Sequence, residues 1–384
     1  MRLQPVTGDD PRDILRALKV ALHGAGPALG LGMVGDAVTE VPPGTAVVVT
    51  TSGSTGTPKS VVLSRDALTA SALATADRIG DGAWLLALPA SYVAGLQVLV
   101  RSIVADREPA LVSGSFSPQG FAAAALTMVS TDRGHRIPTF TSLVPAQLNR
   151  LLDAAEHDAI IGAALRSFER ILIGGQSLPE ATRERAEAAG VRIVRTYGST
   201  ETSGGCVYDG VPLRGVRVRV TRGEVQIAGP TLAEGYLDDT GLTQAAFLRE
   251  PDGTRWYRTG DMGLIEDGVL RVRGRIDNVI VSGGINVSLD RVEQVVRTVP
   301  GLASAVVVGV PDERWGEASV VVTSRGEALR RSESVQLEEA RDAVTAEIGA
   351  HARPVRLVLV DELATLPSGK PDREAIRRTI ATLR

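Results

Sequence analysis

The chain has 384 residues, 43% of them hydrophobic, enough for one large core and a smaller second one, because single cores stop growing near ~250–300 residues. Its formal net charge of −3 is spread as interspersed arginines and carboxylates with no basic block, which excludes the electrostatic footprint of a nucleic-acid binder. A single cysteine, Cys206, excludes an intramolecular disulfide and a cysteine-cluster zinc site; Met1 to Asp13 lack a signal-peptide pattern and no uninterrupted apolar span is long enough for a membrane, so a cytoplasmic protein is expected.

In chain order, Asp10 before Pro11 predicts a helix start, with the run to Leu22 ending at Gly24. Ala46 to Thr50 reads as a buried strand, and Ser64 caps a helix that runs to Ile79 and stops at Gly80. Trp84 to Leu88, Pro145 to Glu156, Arg170 to Ile173, Pro179 to Ala189 and Val191 to Arg195 continue an alternation of strands and helices, the rhythm of a largely parallel sheet with helices packed on it. From about Val216 the period becomes two, Val216 to Val220 and then Glu224 to Ile227, which predicts antiparallel strands with one face solvated. A strand at Val269 to Val272 follows the turn at Asp267-Gly268. Beyond Arg275 a smaller alternation begins: helix Leu289 to Thr298, strand Ala303 to Val310, helix Gln336 to Ile348, strand Val355 to Val360. The expected fold class is therefore α/β, a large N-terminal domain with mainly parallel sheets plus an antiparallel β subdomain, then a small C-terminal α+β domain, with the boundary near Gly274 to Asn278.

The chain holds three lysines against thirty-nine arginines, and two of the three, Lys59 and Lys370, lie in glycine-rich loops. A retained lysine hints at a site where a fork-shaped guanidinium cannot replace a compact ammonium. The first loop, Thr50-Thr51-Ser52-Gly53-Ser54-Thr55-Gly56-Thr57-Pro58-Lys59-Ser60, follows a strand directly. Its hydroxyls, glycine amides and terminal cation suit a turn that wraps phosphate oxygens, although a flexible polar turn has the same composition. It is not a Walker A loop, which requires glycine where Pro58 stands.

This segment resembles the signature loop of the adenylate-forming superfamily, which contains acyl- and aryl-CoA synthetases, peptide-synthetase adenylation domains and luciferases. Four further motifs follow in that family's order: Gly174-Gly175-Gln176-Ser177-Leu178-Pro179, Tyr197-Gly198-Ser199-Thr200-Glu201, Tyr257-Arg258-Thr259-Gly260-Asp261, and Leu366-Pro367-Ser368-Gly369-Lys370-Pro371-Asp372-Arg373. The resemblance implies an ATP-binding and acyl-binding domain over 1–275 and a small mobile domain over 276–384. It assigns Thr51, Ser52, Gly53, Ser54, Thr55, Gly56, Thr57 and Lys59 to the phosphates, Gly174, Gly175 and Gln176 to the adenine side, and Tyr197 to stacking on adenine. Gly198, Ser199 and Thr200 complete the nucleotide site, with Thr200 donating to the α-phosphate; Glu201 would bind Mg²⁺, and Asp261 with Arg275 the ribose. Lys370 would bridge the carboxylate and the α-phosphate, two anions that need a cation between them. Asp277 would be the hinge, and Ser282, Gly283 and Gly284 the loop presented for thioester formation with coenzyme A.

Leu88 to Leu96 and Thr141 to Leu152 are similar to the acyl-pocket segments of o-succinylbenzoate-CoA ligases of menaquinone synthesis, which points to Tyr92, Gly95, Ser142 and Arg150 as acyl-substrate residues. That family commonly has histidine where Tyr92 stands. Arg150 could clamp the second carboxylate of an o-succinylbenzoate in bidentate fashion, or it could be a helix-surface arginine. The expected function is ATP-dependent activation of o-succinylbenzoate and transfer to coenzyme A; another aryl-CoA ligase, an adenylation unit feeding a carrier protein, and an inactive nucleotide-binding module are the alternatives. Expected partners are ATP, coenzyme A and a small aryl carboxylic acid, with no nucleic acid and no membrane span, and with a homodimer left open. Gly30-Leu31-Gly32-Met33-Val34-Gly35 fits a dinucleotide pattern but reads as a loop without the strand and helix context. The four histidines show no metal-ligand spacing, and Cys206 reads as a small buried thiol.

Overall fold

In the computed structural model, helix starts sit where capping residues place them. Asp10 accepts a hydrogen bond from the Arg12 amide at 2.8 Å and Pro11 takes the first helical position of Pro11–Leu22. Ser64 caps Arg65–Ile79, which ends at Gly80 with φ 97°. The structure describes residues 1–384 apart from 7, 33–37, 52–57, 129–130, 133, 327–331, 367–368 and 383–384, with the Asp132 side chain also left out.

The chain is a mixed α/β protein, as the alternation predicts. A seven-stranded sheet has the order Val211–Pro212, Gly204–Tyr208, Ile193–Ser199, Arg170–Ile173, Thr139–Leu143, Ala83–Leu86, Ala110–Leu111, parallel throughout except for the antiparallel pairs that the first two strands add at one edge. A five-stranded sheet begins with parallel Leu3–Pro5, Ala28–Leu31 and Thr45–Thr51, then continues antiparallel through Lys59–Ser64 and Gly235–Tyr236. The strand at Ala28–Leu31 corrects the reading of Gly30 and Leu31 as loop; of that glycine pattern, residues 33–35 lie outside the described residues.

The period-two segment forms an antiparallel sheet of Arg217–Thr221, Glu224–Ala228, Arg255–Glu266 and Phe247–Arg249, with Val269–Arg275 paired to the long strand. The expectation of one solvated face fails at Glu224–Ala228, which is buried at every residue. Its polar side chains are matched across the ladder: Gln226 accepts from Arg219 at 2.9 Å and Glu224 from Arg258 at 2.9 Å. The last hundred residues build their own sheet, Ile285–Ser288, Val279–Ser282, Gly316–Ser324 and Val306–Asp312, with Arg356–Val360 parallel to Gly316–Ser324. Apolar clusters cover both faces of this sheet, one around Val292, Val307 and Val344, the other around Val308, Val320 and Ile380. No helix among the described residues is long and apolar enough to cross a membrane.

Candidate active site

Ligands of open α/β sheets bind beyond the carboxyl ends of parallel strands. Here those ends carry Gly174 and Gly175, after Arg170–Ile173, and Tyr197 to Ser199, at the end of Ile193–Ser199, followed by a 3₁₀ turn at Thr200–Thr202. A register shift between Tyr197 and Gly198 re-aims the backbone as it leaves the sheet. Gln176 is half-buried just beyond, and Thr200 is buried.

On the other side, Thr45–Thr51 and Lys59–Ser64 are antiparallel with Thr51 opposite Lys59. The Thr51 hydroxyl donates to the Lys59 carbonyl at 3.3 Å, and the Thr50 and Ser60 hydroxyls stand 2.9 Å apart. The predicted phosphate residues Ser52, Gly53, Ser54, Thr55, Gly56 and Thr57 lie outside the described residues. The Lys59 ammonium sits 5.8 Å from the Tyr236 ring centroid, within cation–π range, and the Tyr236 hydroxyl donates to Glu201 Oε1 at 2.9 Å. One ring thus spans the end of the signature loop and the Glu201 carboxylate. Burial first, and the Glu201 charge second, push the Tyr236 phenol far above its ordinary value, so it stays a donor.

Asp261 lies on Arg255–Glu266 opposite Arg275 in the ladder. Its Oδ2 accepts from the Tyr197 hydroxyl at 2.5 Å and its Oδ1 is 3.4 Å from Arg275 Nη1, which also donates to the Thr259 carbonyl at 2.8 Å. Burial raises the Asp261 carboxyl above its ordinary value, while Tyr197 and Arg275 pull it back. Tyr197, read from the motif as an adenine platform, therefore also orients the carboxylate read as the ribose acceptor.

Lys370 arrives from the C-terminal segment. The Leu366 amide donates to the Lys370 carbonyl at 2.7 Å and the Gly369 amide to the Leu366 carbonyl at 2.8 Å. This segment rests on the large lobe: a methyl placed on Gly175 would stand 3.4 Å from Lys370 Cε, and one on Gly369 3.3 Å from Val144 Cγ2. Crowding by the cleft walls lowers the Lys370 ammonium below its ordinary value; Glu201 and Asp261 oppose that and Arg275 reinforces it. The side chain keeps solvent access, so screening limits the depression.

Thus Lys370, Gly175, Glu201, Asp261, Tyr197 and Arg275 share one cleft. The acyl-substrate candidates are more scattered. Tyr92 precedes the helix Val93–Val104 and is half-buried, with burial and the Asp9 charge raising its phenol. Gly95 is buried against the Pro89 carbonyl and Ser142 is buried in Thr139–Leu143. Arg150 lies on the exposed face of Pro145–Ala155, 5.8 Å from the Phe116 ring centroid, and forms no hydrogen bond or ion pair among the described residues. Ser282, Gly283 and Gly284 make the end of a hairpin between Val279–Ser282 and Ile285–Ser288, with Gly283 packed on the Trp315 ring. Asp277 is exposed and accepts from Arg275 Nε at 3.0 Å and Nη2 at 2.9 Å. Cys206 is fully buried, which pushes its thiol up to about 12 and leaves it unreactive.

Sequence reading missed Tyr236 and Asp290. Gly235-Tyr236 is a visible dipeptide, but nothing local says that Tyr236 will pair with Val61 and reach Glu201. Glu201 Oε1 is held by Tyr236 and no donor among the described residues reaches Oε2. A half-buried single carboxylate with one free oxygen suits Mg²⁺, which takes one or two carboxylates and fills its octahedron with water and substrate phosphates.

Models of the AMP-binding enzyme family match residues 34–237, and models of the AMP-binding enzyme C-terminal domain match 291–370. The chain belongs to the AMP-binding enzyme family. It is 40% identical, over 96% of its length and 95% of the relative's, to a probable 2-succinylbenzoate–CoA ligase of Mycobacterium tuberculosis. It is 32% identical to an indoleacetate–CoA ligase of Aromatoleum aromaticum, covering 90% of this chain and 70% of that one. Among solved structures, wild-type Escherichia coli MenE with a bound phenylether-linked analogue of OSB-AMS is 25% identical with a TM-score of 0.65, covering 99% of this chain and 82% of that one. ATP-bound MatB from Rhodopseudomonas palustris shares the fold at 23% identity, with a TM-score of 0.74 over 91% of this chain and 71% of that one.

Proposed function

We propose that this enzyme joins o-succinylbenzoate to coenzyme A through an acyl-adenylate. A substrate carboxylate oxygen attacks the ATP α-phosphorus and the bond to pyrophosphate breaks; the coenzyme A thiolate then attacks the acyl carbon, the bond to the AMP oxygen breaks, and the thiol proton passes to solvent. The first step brings two anions together, so a cation must lie where the charge develops. The observation that carries the reading is Lys370 seated on Gly175 in the cleft of Glu201 and Asp261, far from all three in sequence.

In this reading Asp261 and Arg275 hold the ribose, Tyr197 and Gly174 to Gln176 the adenine, Gly198, Ser199 and Thr200 with Thr51 to Thr57 and Lys59 the phosphates. Glu201 would hold Mg²⁺, which neutralises phosphate charge when bound. Residues 1–275 form the nucleotide and acyl domain and 276–384 the small domain, which pivots at Asp277 to exchange Lys370 for the Ser282 to Gly284 hairpin. The 40% identity to a 2-succinylbenzoate ligase supports the acid, and Tyr92, Gly95 and Ser142 are its proposed pocket.

The 32% relative acts on indoleacetate by name, which favours a second reading in which the acid is an aryl monocarboxylate. The test is acid-dependent pyrophosphate exchange, then thioester formation with free coenzyme A, over a panel of o-succinylbenzoate, indoleacetate, phenylacetate and benzoate. The expected result is a preference for o-succinylbenzoate of roughly hundredfold or more in kcat/KM. Equal use of indoleacetate refutes the substrate and leaves the ligase class; no exchange with any acid refutes the class.

A further inference from the structure

Asp290 opens the helix Leu289–Val296, yet its carboxylate turns away from that helix toward the strand that joins the two lobes. Oδ2 accepts from the Arg275 backbone amide at 2.7 Å and Oδ1 from Asn278 Nδ2 at 2.7 Å. The approach requires a glycine. Gly274 has φ 136°, and a methyl there would meet Asp290 Cβ at 2.6 Å and Oδ2 at 2.9 Å. Arg275, whose amide is held, lies opposite Asp261 in the ladder.

The same carboxylate faces the lysine-bearing segment. Arg373, three residues after Lys370, places Nη2 3.5 Å from Asp290 Oδ1 and 2.7 Å from Glu293 Oε2, and its Nη1 donates to the Val307 carbonyl at 2.7 Å. Glu293 is buried, paired with Arg297 at 2.7 Å, and accepts from the Val307 amide at 2.9 Å, so this end of the network is rigid. One side chain therefore ties the backbone between the lobes to the segment that carries Lys370.

We propose that Asp290 is a positioning residue, a latch that fixes the small lobe against the Arg275 strand so that Lys370 stays over Gly175. The inference rests on the proposed role of Lys370 in adenylation. A first-turn acid that merely favours the helix dipole would stabilise the helix Leu289–Val296 and would not distinguish one half-reaction from the other.

The variants are Asp290→Ala and Asp290→Asn, each in the full chain. Three quantities are measured: o-succinylbenzoate-dependent pyrophosphate exchange, thioester formation from supplied acyl-adenylate, and hydrogen exchange in the peptide containing Arg275. For Asp290→Ala, a hydrogen bond to a charged acceptor is lost, so pyrophosphate exchange falls roughly tenfold in kcat with KM for ATP within about twofold, and hydrogen exchange rises roughly tenfold. Thioester formation changes by less than about twofold. Asp290→Asn can still accept from the Arg275 amide, and it restores protection and all but about threefold of the rate. Equal loss in both half-reactions, or unchanged hydrogen exchange, overturns the latch. Should Asp290→Ala fail to fold, the asparagine variant decides alone, and loss of its protection overturns the proposal. If the wild type shows no pyrophosphate exchange with o-succinylbenzoate, the proposed function fails, and the hydrogen-exchange comparison still decides the latch.

Discussion

At Lys370 two effects of opposite sign act on one proton. Crowding by the cleft lowers the ammonium and the neighbouring Glu201 and Asp261 raise it, with a net downward direction. As pH rises, the charge on Lys370 is therefore lost earlier than on an ordinary lysine, whose pKa is about 10.4. The rate of pyrophosphate exchange should fall along an alkaline limb placed below that value. Lys370→Arg, which cannot deprotonate, should abolish the limb at a reduced plateau, and Lys370→Ala should lower exchange roughly 10²–10³-fold while thioester formation from supplied acyl-adenylate persists. A limb that survives in Lys370→Arg would assign the titration to another group. Lysine scarcity and the motif around it made Lys370 legible in the sequence. Tyr236 and Asp290 were not legible, because their partners Glu201 and the Arg275 amide are set by strand register and by lobe contact, neither of which leaves a local mark.

Elements whose ends are fixed locally were readable to within a residue or two. Asp10-Pro11 and Ser64 with Gly80 announce their helices because capping and positive φ are properties of a few neighbouring residues. The helix Val93–Val104 is different: every residue from Gly95 to Ser102 is buried, including Gln97 and Arg101, so it lacks the polar face that gives a period of 3.6. Gly316–Ser324, covered on both faces of the small sheet, escaped notice for the same reason. Burial also explains Gly95, singled out as an acyl residue from resemblance. A methyl there would stand 2.2 Å from the Pro89 carbonyl oxygen, a backbone atom that cannot rotate away. Gly95→Ala should therefore push the start of this helix off the Leu88-Pro89 segment and cost about 1–3 kcal/mol, read as a lower urea midpoint with an unchanged slope. Unchanged stability would show that the segment yields freely and that this packing does not set the geometry beside Tyr92.

Across the whole molecule, two sets of cores are stabilised separately. One group of clusters lies in the large lobe around Leu63, Leu99 and Ile227, with a second around Phe121 and Leu148; the small lobe has apolar packing on both faces of its own sheet. Contacts between the lobes include the Asp290 bond to the Arg275 amide and the approach of Gly369 and Lys370 to Val144 and Gly175. Such an arrangement predicts two calorimetric transitions for the free protein rather than one. A non-hydrolysable acyl-adenylate analogue would touch Asp261 on one side and Lys370 on the other, so its binding energy is lost when either lobe unfolds. At a hundredfold excess over Kd that linkage is worth about 2.7 kcal/mol, enough to shift the weaker transition toward the stronger. In Lys370→Ala the analogue should still raise the transition of the large lobe while the merging weakens, because the contact from the small lobe is gone. A single transition in the free protein would mean that the lobes already unfold as one unit, and the small domain could not then swing on Asp277 without breaking a cooperative interface.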